Sequence, residues 1–242
     1  MVEELFPPNR KHLVIKIKSN SKCTLQNQES VLNEGAKRLG VSLRQTEDQL
    51  TRDMLAATAS FINCVGGVNG DNPTEITRSD IDGVIRTLAD NNACTILNYI
   101  GGEDKFGTAP VRDAYFALAS TKLIGTLDAI NGFTAKNQYP GPERALPSEY
   151  GAVSNLRFML SSIGSKTANA SNKGADIFNI FCVGMEAYGV VQQNGYSAQF
   201  IYLPPQFSGP LAQNITIGWK TAFVPRITND LWVINLRCTL AI

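Results

Sequence analysis

Between Val31 and Cys64 the apolar positions recur at steps of three and four. Leu32, Ala36, Leu39, Leu43, Thr46, Leu50, Met54, Ala57 and Phe61 form one line on a helical wheel. Lys37, Arg38, Arg44, Glu47, Asp48, Arg52 and Asp53 fall mostly off that line, where water reaches them. The spacing predicts one long amphipathic helix over 31–64. Gly35 and Gly40 each weaken its first turns by roughly 1 kcal/mol, which puts the expected start at Asn33 or Val41. Two shorter helices broken at Gly40 are the other reading. The paired Gly66-Gly67 suits a left-handed cap at the end.

Upstream, Leu13–Lys18 alternates as a half-buried strand, and Pro7-Pro8 keeps the chain ahead of it extended. Gly66–Pro73 reads as a loop. Thr77 and Asp80 stand at capping-box spacing before Ile81, Val84, Ile85 and Leu88, a second helix that Asn91-Asn92 stops. Gly101–Pro110 reads as an exposed loop. Ala114–Ala119 is a short apolar run expected as a buried strand. Ser120 then caps a helix carrying Leu123, Ile124, Leu127 and Ile130, closed by Gly132. Residues 133–153 read as loop-rich, with Pro140, Pro142 and Pro147 among them. Leu156–Leu160 is another strand, and Gly164–Gly174 a polar loop with little to order it alone. Ile177–Val183, Ala198–Leu203, Ile215–Val224 and Leu231–Leu240 are β-branched and aromatic, with Pro204-Pro205, Pro210 and an Asn229-Asp230 turn between them. Helices and short strands without regular βαβ alternation give an α+β fold.

Hydrophobic residues make up 43% and charged residues 18%, so the chain can bury a core and is not of disordered composition. The net charge is +1 with no basic run, which argues against affinity drawn from nucleic-acid phosphates. No apolar stretch approaches ~18 residues, the length that spans a membrane. The first residues, MVEELFPPNRKH, lack the apolar core of a signal peptide. Cys23, Cys64, Cys94, Cys182 and Cys238 form no CxxC pair and read as buried or half-buried thiols of a reducing compartment.

His12 is the single histidine, so Ser–His–Asp, Cys–His and histidine-metal arrangements lack their parts. No GxxxxGK[ST] loop is present, and Gly66-Gly67-Val68-Asn69-Gly70 lacks dinucleotide-loop spacing. Glu47, Asp48 and Asp53 are acid–base candidates by type, but Arg44 and Arg52 beside them make a solvated ion-paired face. Asn169–Ser171 and Asn214–Thr216 match the glycosylation sequon and carry no weight without a secretory signal. Tyr188, Tyr196, Phe200, Tyr202, Phe207, Trp219 and Trp232 cluster late; they fill a sheet core or a subunit contact, a ligand platform being the other reading. No catalytic residue, cofactor-binding residue or metal ligand is assigned. The profile is that of a structural building block.

Several segments together resemble the major capsid proteins of tailed bacteriophages, most nearly the N-four-like podovirus group with the Hong Kong 97-type shell fold. They are Val31–Glu34 with Thr46–Asp53, Tyr115–Ala119 followed by Leu123–Leu127, and Gly151–Phe158. At the end come Phe181–Gly184 with Ala187-Tyr188, then Gly209–Leu211, Gly218–Lys220 and Asn229–Trp232, in the family's order and spacing. The resemblance covers roughly residues 25–242. It implies a long spine helix, a peripheral β-rich domain over 1–75 and 197–242, and an inserted axial α/β domain over 76–196. It also implies self-association into pentamers and hexamers of an icosahedral shell, with portal, scaffold or cement proteins as partners. Packaged double-stranded DNA would be met without sequence preference, with no membrane contact and no cofactor. The expected location is the virion, and the host cytoplasm during assembly. Gly101–Pro110 and Lys166–Gly174 are expected as axial contacts at a capsomer centre, or as plain solvated loops.

The family carries an N-terminal arm and an extended β-hairpin ahead of the spine helix. The residues before Val31 leave room for neither, and Leu13–Lys18 is expected as the hairpin's second strand. Two alternatives stand beside the capsid reading. One is an encapsulin-type nanocompartment shell; the other is a small α+β enzyme using carboxylate or cysteine chemistry.

Overall fold

The computed structural model describes residues 21–58, 60–96, 114–139, 146, 148–191, 198–203 and 216–241. These divide into two compact units. One takes the residues within Met1–Thr51 and Val190–Arg226; the other takes those within Arg52–Gly189 and Ile227–Ile242.

The second unit is built on an eight-stranded mixed sheet. Its strands are β1 (Ser60–Asn63), β2 (Tyr115–Ser120), β3 (Thr134–Ala135), β4 (Glu149–Val153), β5 (Leu156–Ser161), β6 (Lys166–Thr167), β7 (Ile177–Val183) and β12 (Val233–Cys238). Their spatial order is β1-β12-β7-β2-β5-β4-β3, and β6 pairs with the start of β7. The pairs β1–β12 and β2–β5 are parallel; the others are antiparallel. All seven residues of β7 are buried, as a strand covered on both faces requires.

One face carries Cys238, Leu236 and Ile234 of β12, Phe178, Ile180 and Cys182 of β7, Ala117 and Ala119 of β2, and Leu156 and Phe158 of β5. They share a core with Ile81, Val84 and Leu88 of helix α2 (Arg78–Asp90) and with Leu123 and Leu127. Leu127 belongs to the short helix α3 (Ile124–Asp128). The other face carries Phe181, Val183 and Val233, which enclose Leu55 near the end of helix α1 (Ser21–Thr58).

In the first unit Leu39 of α1, with Leu43 beside it, packs on Ile217 and Trp219 of β10 (Thr216–Lys220). Strand β10 pairs antiparallel with β9 (Gln199–Leu203), Trp219 standing across from Phe200. Strand β11 (Val224–Ile227) pairs with β8 (Tyr188–Val191).

The helix α1 departs from the expected 31–64 at both ends. It begins at Ser21 and runs unbroken through Gly40, where a Cβ would meet open space. Residues 21–30 are polar but are mostly adequate helix formers, so hydrophobic periodicity has nothing to register there. The helix stops at Thr58, because Ser60–Asn63 is taken into the sheet by parallel pairing with Ile234–Arg237. Phe61 therefore lies on a strand and not on the helical line. Ala36 and Ala57 are exposed, whereas Gly35 and Glu47 join Leu39 and Leu55 on the buried side.

Smaller corrections follow the same logic. Residues 149–153, read as loop, form β4. The run Ile215–Val224 is two strands, β10 and the start of β11. Gly164–Gly174 holds β6 and is well fixed. Ile124 is exposed rather than part of the apolar face of its helix. Cys94 is exposed, while Cys64, Cys182 and Cys238 are buried. Neither Gly66 nor Gly67 has a positive φ; Gly132 does, at 84°, and it closes its turn as expected. His12, Leu13–Lys18, Gly101–Pro110, Pro140, Pro142, Pro147, Tyr196, Phe207, Asn214, and the side chains of Cys23 and Leu32 lie outside the described residues.

Candidate functional site

The most tightly specified surface of the second unit is the stretch that leaves β1. Five consecutive backbone N–H groups, Val65 to Asn69, turn inward onto side-chain oxygens. Val65 and Gly66 donate to Asp80 Oδ1 at 3.1 and 3.3 Å. Gly67 donates to Thr74 Oγ1 at 3.0 Å. Val68 and Asn69 donate to Glu75 Oε1 and Oε2 at 2.6 and 3.1 Å. Burial pulls the Glu75 carboxyl up, but the N–H groups around it outweigh that and hold it below the usual carboxylate value.

Asp80 serves two structures at once. Its Oδ2 accepts from the Thr77 N–H at 3.0 Å and from the Thr77 hydroxyl at 2.7 Å. The N–H bond is the half of the capping box that Thr77 and Asp80 foretold. Such close packing of carboxylates on backbone explains the glycine pair. A Cβ on Gly66 would collide with the Thr77 hydroxyl, and one on Gly67 with the Glu75 carboxylate.

A second set of bonds ties this knuckle to residues about a hundred positions onward. Lys173 Nζ donates to the Asn69 carbonyl at 2.7 Å, and the Lys173 N–H donates to Asp71 Oδ1 at 3.1 Å. The Asn69 amide donates to Thr239 Oγ1 at 2.8 Å. Asp176 accepts from Lys166 Nζ and the Asn169 N–H at 2.9 and 3.1 Å, and both contacts draw its pKa down. The polar loop is ordered by these partners together with its own turn, in which the Ala175 and Gly174 N–H groups donate to the Ser171 hydroxyl and carbonyl at 2.7 and 3.0 Å.

With its N–H groups turned in, the knuckle turns its side chains out. Val65 is 75% and Val68 95% exposed. They continue the outer edge of β1, unpaired among the described residues, where Phe61 and Ile62 are also exposed. The Arg237 guanidinium lies over the Phe61 ring, 3.9 Å from its centroid. From Ser60 to Asn69 the chain has no charged residue. An uncharged apolar strip held on a fixed backbone is built for contact with another surface.

The acid–base candidates are not gathered into a site. Glu47 is buried and pairs with exposed Arg44 at 3.1 Å, contrary to the expected solvated position. Asp48 and Asp53 are exposed; Asp53 pairs with Arg52 at 2.7 Å. Among the described residues no group of three or more His, Cys, Asp or Glu is placed to hold a metal ion. Cys64, Cys182 and Cys238 do meet in one core cluster. A hydrogen bond with Cys238 and then burial push the Cys64 thiol up, and burial pushes Cys182 up to about 12. Both are held as thiols, not nucleophiles.

The aromatic cluster divides. Trp219 is buried, Trp232 is half-buried and donates Nε1–H to the Asn91 carbonyl at 3.0 Å, and Phe200 and Tyr202 are exposed on β9. Sequence reasoning missed the buried Glu149–Arg157 pair. Its only signal was an arginine inside the apolar run Leu156–Leu160.

No family model matches the sequence, and no curated protein matches it. Solved structures do match. The head structure of Helicobacter pylori bacteriophage KHP40 has a TM-score of 0.61 at 12% identity, covering 96% of this chain and 74% of that one. The capsid of Ralstonia phage GP4 has 0.57 at 12% identity, over 96% and 74%. The holo-SrpI encapsulin complex of Synechococcus elongatus has 0.58 at 8% identity, over 94% and 73%. They are a phage head, a phage capsid and an encapsulin complex. At such identities the likeness is one of fold: mixed α+β, with a large mixed sheet and few helices, as in phage capsids.

Proposed function

We propose that this chain is a shell subunit, the major capsid protein of a tailed phage with the Hong Kong 97-type fold. The observation that carries the reading is the match to capsid structures over 96% of the chain. Free apolar strand edges and an uncharged contact strip support it, since many like copies must touch without repelling one another. In this reading α1 is the spine helix, the unit within 1–51 and 190–226 belongs to the peripheral domain, and the unit within 52–189 and 227–242, which holds the eight-stranded sheet, is the axial one. The subunits form pentamers and hexamers around double-stranded DNA. A net charge of +1 fits loose, sequence-independent contact with that DNA. Portal, scaffold or cement proteins complete the particle, which assembles in the host cytoplasm. On the sequence segments the subunit resembles the N-four-like podovirus group.

An encapsulin-type compartment is the second reading, favoured by the match to the encapsulin complex. Electron microscopy and size-exclusion chromatography of the recombinant protein test both. Closed shells, or rings of five or six, are expected. A protein that stays monomeric at high concentration overturns both. Particles recovered from infected or expressing cells then separate them: packaged DNA for a capsid, a protein cargo for a compartment.

A further inference from the structure

We propose that the strip Phe61–Ile62–Val65–Val68 is a two-fold contact between copies of this chain, made by adding β1 to β1 of a second subunit. The inference rests on the shell reading and names the surface that reading leaves open. Among the described residues β1 is the last strand of its sheet, paired on one side only, with β12. Cys64 donates its N–H to the Arg237 carbonyl at 2.9 Å. By alternation the backbone groups of Phe61 and Asn63 then point to the outer side. Natural edges are blunted by lysine, proline or a bulge. This one has none of them, and neither do the five residues after it.

The occupant follows from charge and register. Ten residues without a charge, Ser60–Asn69, can face their own copy, and the one cation seated on them, the Arg237 guanidinium, is held over the Phe61 ring. A two-fold axis normal to the sheet makes the pairing antiparallel and keeps each face on its own side. Residues of the same face then meet, and an axis centred on Ile62 sets Ile62 against the partner's Ile62 and Phe61 against the partner's Asn63. The valines of the knuckle flank the join, and their backbone is already fixed by Asp80 and Glu75, so little ordering opposes contact. Four exposed apolar side chains cover far less than the ~800 Å² per partner of a standard interface. The contact is therefore weak singly and holds when repeated over many copies.

The test compares the full chain with the double variant Val65→Lys/Val68→Lys, whose charges oppose those of Asp80 and Glu75 beside them, in assembly followed by light scattering and electron microscopy. Both valines point to solvent, so the circular dichroism spectrum and melting temperature should not change. The variant is expected to need at least a tenfold higher protein concentration to assemble. Amide exchange on wild-type particles gives an independent reading. The Phe61 and Asn63 amides should slow at least tenfold relative to the dissociated subunit. A wild type that assembles while the variant assembles equally well, or while these amides stay fast, overturns the contact and leaves the shell reading standing. A wild type that never assembles overturns both.

Discussion

Arg157 meets Glu149 through two parallel hydrogen bonds, Nε to Oε1 at 2.8 Å and Nη2 to Oε2 at 2.6 Å, with both side chains at most 1% exposed. Tyr139 donates its hydroxyl to Oε1 at 3.1 Å, and the Leu146 N–H donates to Oε2 at 3.1 Å. The carboxylate is saturated. The guanidinium is not: Nη1 has no hydrogen-bond partner, and the Phe116 ring lies 5.5 Å from its carbon. Breaking such a pair leaves a lone buried charge, which costs roughly 3–5 kcal/mol. Arg157→Met should lower the urea unfolding free energy by about that much. The double variant Arg157→Met/Glu149→Gln should be less destabilised than Arg157→Met alone, because no charge is left behind.

Acid should loosen the second unit through the same carboxylate. Burial raises the Glu149 pKa, but the Arg157 bonds, the Leu146 N–H and the Tyr139 hydroxyl outweigh it and hold it below the ordinary 4.5. Glu75 is likewise held down. A depressed folded pKa gives stability that is full above the ordinary value and is lost as pH falls through the folded one. Urea midpoints should be flat from pH 7 to about 5 and fall below about 4.5. Glu149→Gln should start lower and fall less steeply.

Two glycines separate helix propensity from close approach. Gly40 lies inside α1 with open space where a Cβ would stand, so Gly40→Ala should stabilise by about 0.5–1 kcal/mol. Gly67→Ala forces the Glu75 carboxylate away from the Val68 and Asn69 N–H groups. It should destabilise by roughly 1–3 kcal/mol. Thermal melts of the two variants should move in opposite directions.

Each unit holds one tryptophan, which lets the cores be read separately. Leu39 packs with Leu43, Ile217 and Trp219. Leu39→Ala in a Trp232→Phe background should red-shift the remaining emission as water reaches Trp219. Leu55→Ala opens a cavity among Phe181, Val183, Ala187 and Val233 and should cost roughly 2–5 kcal/mol. Emission maxima and urea midpoints together check both.

Elements with a regular apolar face or an unbroken apolar run were legible in the sequence. Helix α2 from Thr77 to Asn91, strands β2, β5 and β7, and the α+β class came from periodicity and capping. The first ten residues of α1 were not, because a polar helix leaves no apolar stripe. Strand β1 was not either: Phe61 and Ile62 continue the helical spacing, and only β12, 174 positions onward, claims them for the sheet. The contact strip was half legible. Gly66-Gly67 marked a special backbone, but a cap and a carboxylate cradle look alike in sequence. What distinguishes them is that Glu75 and Asp80 fold back on the loop.

The parallel pairing of Ser60 with Ile234 also sets an order of events in time. A strand from the first third of the chain waits for a partner at its far end. Contacts of such long sequence separation form late. During synthesis β1 has no strand to lie on until residues 233–238 have left the ribosome. The outer edge that would meet another subunit is thus among the last surfaces to take shape. Until then a half-made chain lacks the paired strand that the proposed contact requires.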